Sequence, residues 1–434
     1  MKKITIFLFL LLAVSATAEA QRQRQARPPS VIILKNVNLV DVENKQILPS
    51  MDIAIEGGLI REIGKNIQPA NPTDTVIDLT GKYAVPGLID VHTHIANSQG
   101  TGRQNLTEQL RFLVEHGITS VRDVGSDARQ LAELMRAVNT NEIIGPDIFY
   151  AAFIATNAYY EHGNRNPSAA WTAGLEENFA PWVQLVEPGA ELDAVMIAAK
   201  ATGATGLKVY LGYDKDFLAE IVTAARKQGL QLWAHTMLYP AKPHEVAAAG
   251  VDVMSHVSML ENEAFEGVIT HFEQGNAQKA TLDMLNINLD KFIENALKND
   301  VILDATLRVS VPNFNERHSE KHQPLYNMLN QVYKAGVKIA AGSDWFITPG
   351  WGDPPLFEEL VLLVEHGGLS TMDAIRAATI IAAETFKGQN QKGSITQGKD
   401  ADIVILNANP VEDIKNLQNN HLVMKKGRLI PKRN

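Results

Sequence analysis

Residues 86–95 read PGLIDVHTHI, an apolar run that closes on two histidines. In an extended chain successive side chains point to opposite faces. His92 and His94 therefore share one face, and Val91, Thr93 and Ile95 share the other. Two neutral imidazoles aimed at one point form half of a metal site. The alternative is a pair of unrelated polar residues at a strand end, and the remainder of the chain has to separate the two.

Working outward, short apolar runs alternate with helical stretches from about Pro86 to Gly393. The runs are GLIDVHTHI, ITSVRDVG, DIFYAAFIA, GLKVYL, LQLWAHT, VDVMSHVS, VILDATL and VKIAAGSDW. Between them lie helical patterns such as LTEQLRFLVEHG, ARQLAELMRAVN, ELDAVMIAAKATG, DFLAEIVTAARKQG and PHEVAAAGVD, most with a Gly near the end that suits a helix C-terminus. Eight such alternations predict an α/β fold, a (β/α)8 TIM-like barrel over residues 86–393. The connections Asn157 to Gly189 and Leu260 to Asn286 exceed ordinary loop lengths and are read as lids or substrate walls. GLSTMDAIRAAT reads as an apolar-faced packing helix with Ser370 as its N-cap.

Residues 31–85 follow another grammar, with short alternating strands and a hairpin turn at Gly57-Gly58, and residues 394–434 repeat it. The economical reading is one small β-sandwich domain built from both ends of the chain, with the barrel inserted between them. Ahead of it, residues 1–20 combine Lys2 and Lys3, an apolar run from Ile4 to Val14 and Ala18-Glu19-Ala20, the pattern of a cleaved signal peptide. The run is short for a membrane span, so export to the periplasm or medium without a stable membrane anchor is expected. Residues 21–30 read as a disordered lead-in.

The 434 residues carry a formal charge of −9, with 45% hydrophobic and 21% charged residues. That balance suits a globular enzyme, and the absence of a concentrated basic surface argues against nucleic acid as a partner. With 0 Cys the chain has neither disulfides nor thiol chemistry, so a metal site has to draw on His, Asp, Glu or Lys.

In such a barrel, functional side chains sit at the C-terminal ends of the strands. Those ends carry His92 and His94 on the first strand, Lys208 on the fourth, His235 on the fifth, His256 on the sixth and Asp344 on the eighth. Four of the 12 histidines fall there, more than surface usage explains, which favours a metal centre. A free ammonium is no ligand.

PGLIDVHTHI, the ordered Lys, His, His and Asp, and the C-terminal segments AATIIAAETF and GSITQGKDADIVILNANPVEDI resemble the amidohydrolase superfamily, in its prolidase-like and imidazolonepropionase-like branch. The resemblance implies one or two divalent metals, most often zinc, whose bridging hydroxide attacks a C–N bond. It places His92, His94 and Asp344 on the more buried metal and His235 and His256 on the other, bridged by Lys208 as the anionic carbamate formed with carbon dioxide, a reaction open to a buried lysine of lowered pKa. Asp344 is the expected catalytic proton carrier.

Arg122, beside Asp123, is read as a substrate contact or a brace for a ligand, with a structural ion pair as the alternative. Tyr210, Tyr239 and Arg308 are candidate contacts for a substrate carboxylate, while His162, His318 and His322 read as solvated. The leading expectation is an exported hydrolase of Xaa-Pro dipeptides or N-acyl amino acids with a binuclear centre, and possible homo-oligomerisation, since relatives in the superfamily associate. A mononuclear imidazolonepropionase-like cyclic amide hydrolase or deaminase is the second expectation, and a non-catalytic periplasmic metal- or ligand-binding barrel the third.

Overall fold

The computed structural model describes residues 30–96, 102–161, 179–271, 274, 278–279, 282–350 and 352–433. The expected signal peptide, all of the lead-in but Ser30, and His162 lie outside the described residues.

Two sheets organise the molecule. Strands β1 (Ile32–Asp41), β2 (Gln46–Glu56), β3 (Leu59–Gly64), β4 (Thr75–Asp78) and β5 (Tyr83–Pro86) join β16 (Ile403–Leu406), β17 (Asn420–Lys425) and β18 (Arg428–Ile430) from the other end of the chain. Together they form one eight-stranded sheet in the order β18-β17-β16-β5-β1-β2-β3, with β4 also on β1. The junction is β5 against β16, where Tyr83 pairs with Leu406 and Pro86 with Ile403. Gly57 and Gly58 take φ of +60° and +89° to turn β2 into β3, the left-handed backbone that favours glycine. Leu34, Val37, Ile53, Ile55, Ile60, Ile403, Ile405 and Met424 bury this domain's own core.

The second sheet is the barrel. Its strands are β6 (Leu88–Thr93), β7 (Ile118–Asp123), β8 (Asp147–Ala155), β11 (Gly206–Val209), β12 (Gln231–His235), β13 (Val253–Ser255), β14 (Ile302–Asp304) and β15 (Lys338–Ala340), all parallel. They coincide with the eight apolar runs of the sequence. The seam between first and last is closed by the Val91 amide on the Ala341 carbonyl at 3.2 Å and the Asp344 amide on the His92 carbonyl at 2.9 Å. Above the barrel, β8 exchanges β7 for a small hairpin, β9 (Phe179–Ala180) and β10 (Val183–Leu185), which belongs to the first long connection.

Helices Arg103–Glu115, Ala128–Asn139, Leu192–Ala201, Lys215–Lys227 and Pro243–Ala248 fall where the apolar periodicity places them. Ser370 caps the helix Thr371–Ala377 by accepting the Asp373 amide at 3.0 Å. No helix among the described residues is long and apolar enough to cross a membrane.

Register explains how the barrel carries a site. Trp233, Val253 and Ile302 are neighbours across three strands, and two residues later so are His235, Ser255 and Asp304. Paired residues share a face, so an apolar layer lies directly beneath a polar one. The lower layer adds Ile89, Ala151 and Ala340 and is plugged by Ala382, Ala383 and Phe386, with Phe386 stacked on Phe149 at 3.9 Å. The barrel base is tied to the small domain by Asp147 of β8, which faces Lys392 at 2.6 Å, Lys425 at 2.5 Å and Lys426 at 3.0 Å.

Candidate active site

The polar layer brings together every strand-end residue singled out in the sequence. The His92 Nε2 lies 3.6 Å and the His94 Nε2 3.3 Å from Asp344 Oδ1, and the His256 Nδ1 lies 3.7 Å from Asp344 Oδ2. His92 is 5.0 Å from His256 and His256 4.9 Å from His235, centroid to centroid. Lys208 is buried and donates to Ser255 Oγ at 3.0 Å, below the histidines. His256 and Asp344 take φ of +81° and +45°, so the backbone at both strand ends departs from extended geometry.

A further shell holds these groups. Asp304 Oδ2 accepts from His92 Nδ1 at 2.7 Å, Arg122 Nη2 at 3.0 Å and Ser255 Oγ at 3.0 Å. Tying Nδ1 to a carboxylate leaves Nε2 of His92 free to face Asp344. His256 is oriented in the same manner by Thr306 Oγ1, 2.9 Å from its Nδ1. Thr306 sits in the left-handed region at φ +48°, ahead of a turn whose Leu307 and Arg308 amides donate to buried Glu359 at 3.1 and 2.7 Å.

Burial dominates the electrostatics. It pushes the Lys208 amine down to about 7, against the attraction of Asp304, and His256 down to about 3; His235 also falls well below the ordinary histidine value. His92 is lowered by burial despite Asp344 and Asp304. Asp344 is the reverse case: burial opposes its charge, but the surrounding histidines hold it far below the usual carboxylate range. His94 alone is raised, because Asp344 outweighs burial.

The outcome is a cluster of mostly neutral imidazoles, one amine near neutrality and one firmly anionic carboxylate. Nδ1 of His94 and Nδ1 of His235 are buried without a hydrogen-bond partner. His92, His94 and Asp344 each offer a ligand atom within 4.8 Å of the others. Lone pairs converging on a common centre, with a buried anion among them, suit a divalent cation.

The other candidates separate. Tyr210 lies beside the ligand set, its ring 4.3 Å from that of His235, and burial keeps its phenol protonated. Arg122 is a brace: at 0% exposure, with its guanidinium on Val91 O and Asp304 and over Trp233 at 4.6 Å, it has no surface to offer a substrate. Arg308 is likewise committed, to Glu358, to Val311 O at 2.9 Å and to the Trp345 ring at 4.2 Å. Tyr239 is buried among Met237, Phe265 and Ile269. Arg308 and Tyr239 are thus packed within the protein, whereas Tyr210, the third residue read as a carboxylate contact, adjoins the histidines. His318 is exposed and His322 half-buried.

Asp304, Ser255, Thr306 and Glu359 were not singled out from the sequence. For Asp304 the signal was present: a charged residue inside the apolar run VILDATL, as Lys208 is inside GLKVYL.

Residues 83–430 match the model of the amidohydrolase family. The chain belongs to this family. It is therefore an enzyme, a hydrolase acting on carbon–nitrogen bonds, and the reading as a non-catalytic binding barrel falls. Ochratoxinase of Aspergillus niger is 26% identical over 373 residues, which span 77% of this chain and 72% of that protein. An adenine deaminase of Methanococcoides burtonii is 26% identical over 385 residues, 85% of this chain and 53% of its own length. Among solved structures, a Xaa-Pro dipeptidase with methionine bound in its active site superposes with a TM-score of 0.71 at 23% identity, covering 92% of this chain and 99% of that one. The ochratoxinase crystal structure gives 0.72 at 22% identity, covering 93% and 96%. At those identities the two structures speak for the fold, which they share with this amidohydrolase.

Proposed function

We propose that this amidohydrolase is an exported, binuclear metal-dependent enzyme that cleaves Xaa-Pro dipeptides or N-acyl amino acids. The observation that carries the reading is Lys208. Its amine is buried in the polar layer, and burial pushes it down to about 7, so a large share is unprotonated and able to form a carbamate at neutral pH. On this reading His92, His94 and Asp344 would hold one divalent ion, His235 and His256 would hold a second, and Lys208 would serve as a ligand once carboxylated, with zinc the best match to the donors. Such a pair supplies Lewis-acid polarisation of the scissile carbonyl and of the attacking water.

The chain's own residues do the rest. Asp344, held ionised, accepts a proton from the attacking water at a carboxylate oxygen and delivers it to the departing nitrogen as the C–N bond breaks and the C–O bond forms. The remaining water proton is shed with ionisation of the new acid. Asp304 and Thr306 keep the His92 and His256 rings in one orientation throughout. The protonated phenol of Tyr210 offers a hydrogen-bond donor at the rim.

The test is metal content per chain, by elemental analysis, for wild type and Lys208→Ala purified from cultures given bicarbonate. About two metals in the wild type, with a loss in the variant, support the bridged centre and lead to assays on Xaa-Pro and N-acyl amino acid series. One metal, unchanged by the substitution, overturns the carbamate bridge. That result would favour the mononuclear cyclic amide hydrolase or deaminase, a reading supported by the compact trio His92, His94 and Asp344, which needs no lysine. Export is tested by fractionation: intact protein confined to the cytoplasm refutes it.

A further inference from the structure

A cavity of about 490 Å³ opens beside the ligand set, bounded at one end by His94 and Asp344. That volume lies within the range of about 300–1,000 Å³ typical of small-molecule sites. Away from those two residues its walls are Ile95, Val309, Trp345, Phe346 and Ile347, with Gln109 and Thr348 as the uncharged polar members. Among the described residues, no lysine or arginine lines it.

Two of these walls differ in how they are held. Trp345 is fixed from behind, its ring under the Arg308 guanidinium at 4.2 Å, and Arg308 is itself anchored on Glu358 and Val311 O. Phe346 meets Trp345 edge-on at 5.4 Å and is 78% exposed. An aromatic ring left so open, next to a carboxylate of the ligand set and continuous with an apolar wall, is surface that an apolar ligand group would cover. A ligand ring could meet Phe346 in the offset or edge-to-face geometry that aromatic pairs prefer.

We infer that the Trp345–Phe346 wall is the specificity surface of this enzyme and seats an uncharged aryl or branched-alkyl group next to the scissile amide. The inference rests on the hydrolase reading above for its substrate, but its test does not depend on turnover. Benzylphosphonate and methylphosphonate carry the same anionic head for the ligand set and differ in the tail that would enter the cavity. Calorimetric titration of the metal-loaded wild type should give at least tenfold tighter binding of the benzyl compound, the order of discrimination an apolar pocket provides. Phe346→Ala and Trp345→Ala should each shrink that ratio, whereas Trp345→Phe, which keeps an apolar ring, should retain most of it. Equal affinities in the wild type, failure of the benzyl compound to bind, or a ratio unchanged in both alanine variants would overturn the inference. Turnover then tests the other reading separately. If the benzyl preference holds but neither Xaa-Pro dipeptides nor N-acyl amino acids are cleaved, the wall stands and the proposed substrate class fails.

Discussion

The Nδ1 of His92 and Oδ2 of Asp304 lie 2.7 Å apart, both side chains buried, and Arg122 reaches the same oxygen at 3.0 Å. Burial opposes the charge of Asp304, but His92, Arg122 and Lys208 hold it below the ordinary carboxylate value. Asp304→Asn keeps the shape and removes the charge. The expected result is a loss of about 10- to 100-fold in metal affinity, the usual effect of removing a partner behind a ligating histidine, read by competition with a chelator. Asp304→Ala should also cost about 3–5 kcal/mol in urea unfolding, since it strands the Arg122 charge in the barrel.

Gly342 passes close to that pair. A Cβ on it would lie 2.3 Å from Asp304 Oδ1 and 2.5 Å from the His92 Cβ. Gly342→Ala should therefore destabilise by about 1–3 kcal/mol through overpacking and displace His92 from the ligand set. Gly64→Ala, whose Cβ would meet only Ile67 Cγ1 at 3.9 Å, is the control and should stay within about 0.5 kcal/mol. Equal effects at both positions would refute the steric account.

At the barrel base, burial opposes ionisation of Asp147, but Lys392, Lys425 and Lys426 hold its carboxyl far below the ordinary value. A depressed acid contributes stability that is present above its unfolded pKa, near 4, and lost as pH falls from there towards the folded value. Asp147→Asn should cost about 3 kcal/mol at pH 7, leaving three lysines without their shared anion. The gap between wild type and variant should narrow on going from pH 5 to pH 3. A gap that stays constant over that interval would show that the cluster does not set the acid limb.

Ser370→Ala removes the acceptor for the Asp373 amide and should cost about 0.5–2 kcal/mol in thermal or urea unfolding. Turnover per folded molecule should not change, as the helix lies outside the ligand set.

The barrel was legible because each strand is a short apolar run set off by helical stretches of different period, and all eight lie where those runs do. The clustering of the four histidines was legible for a related reason. Two residues apart at a strand end means one face, and the register then brings different strands to one height. The arginines were not legible. A guanidinium matches a substrate carboxylate and a protein carboxylate equally well, and only the contacts of Arg122 with Asp304 and of Arg308 with Glu358 show that each is engaged within the protein. Asp304 escaped notice because one acid in an apolar run carries no periodic signal, although Lys208 was found on that very criterion. Trp345 and Phe346 follow the last strand in a loop, where no alternation reveals which ring faces a cavity.

The pairing of Tyr83 with Leu406 also has a meaning in time. A ribosome releases β1 to β5 first, yet β5 has no partner on its β16 side until nearly the whole chain has emerged. Through most of synthesis that edge is an open row of amides and carbonyls, a template for unwanted strand addition. The barrel must form between two halves of a sheet that has not yet closed, and the last strands to leave the ribosome complete the first domain to begin.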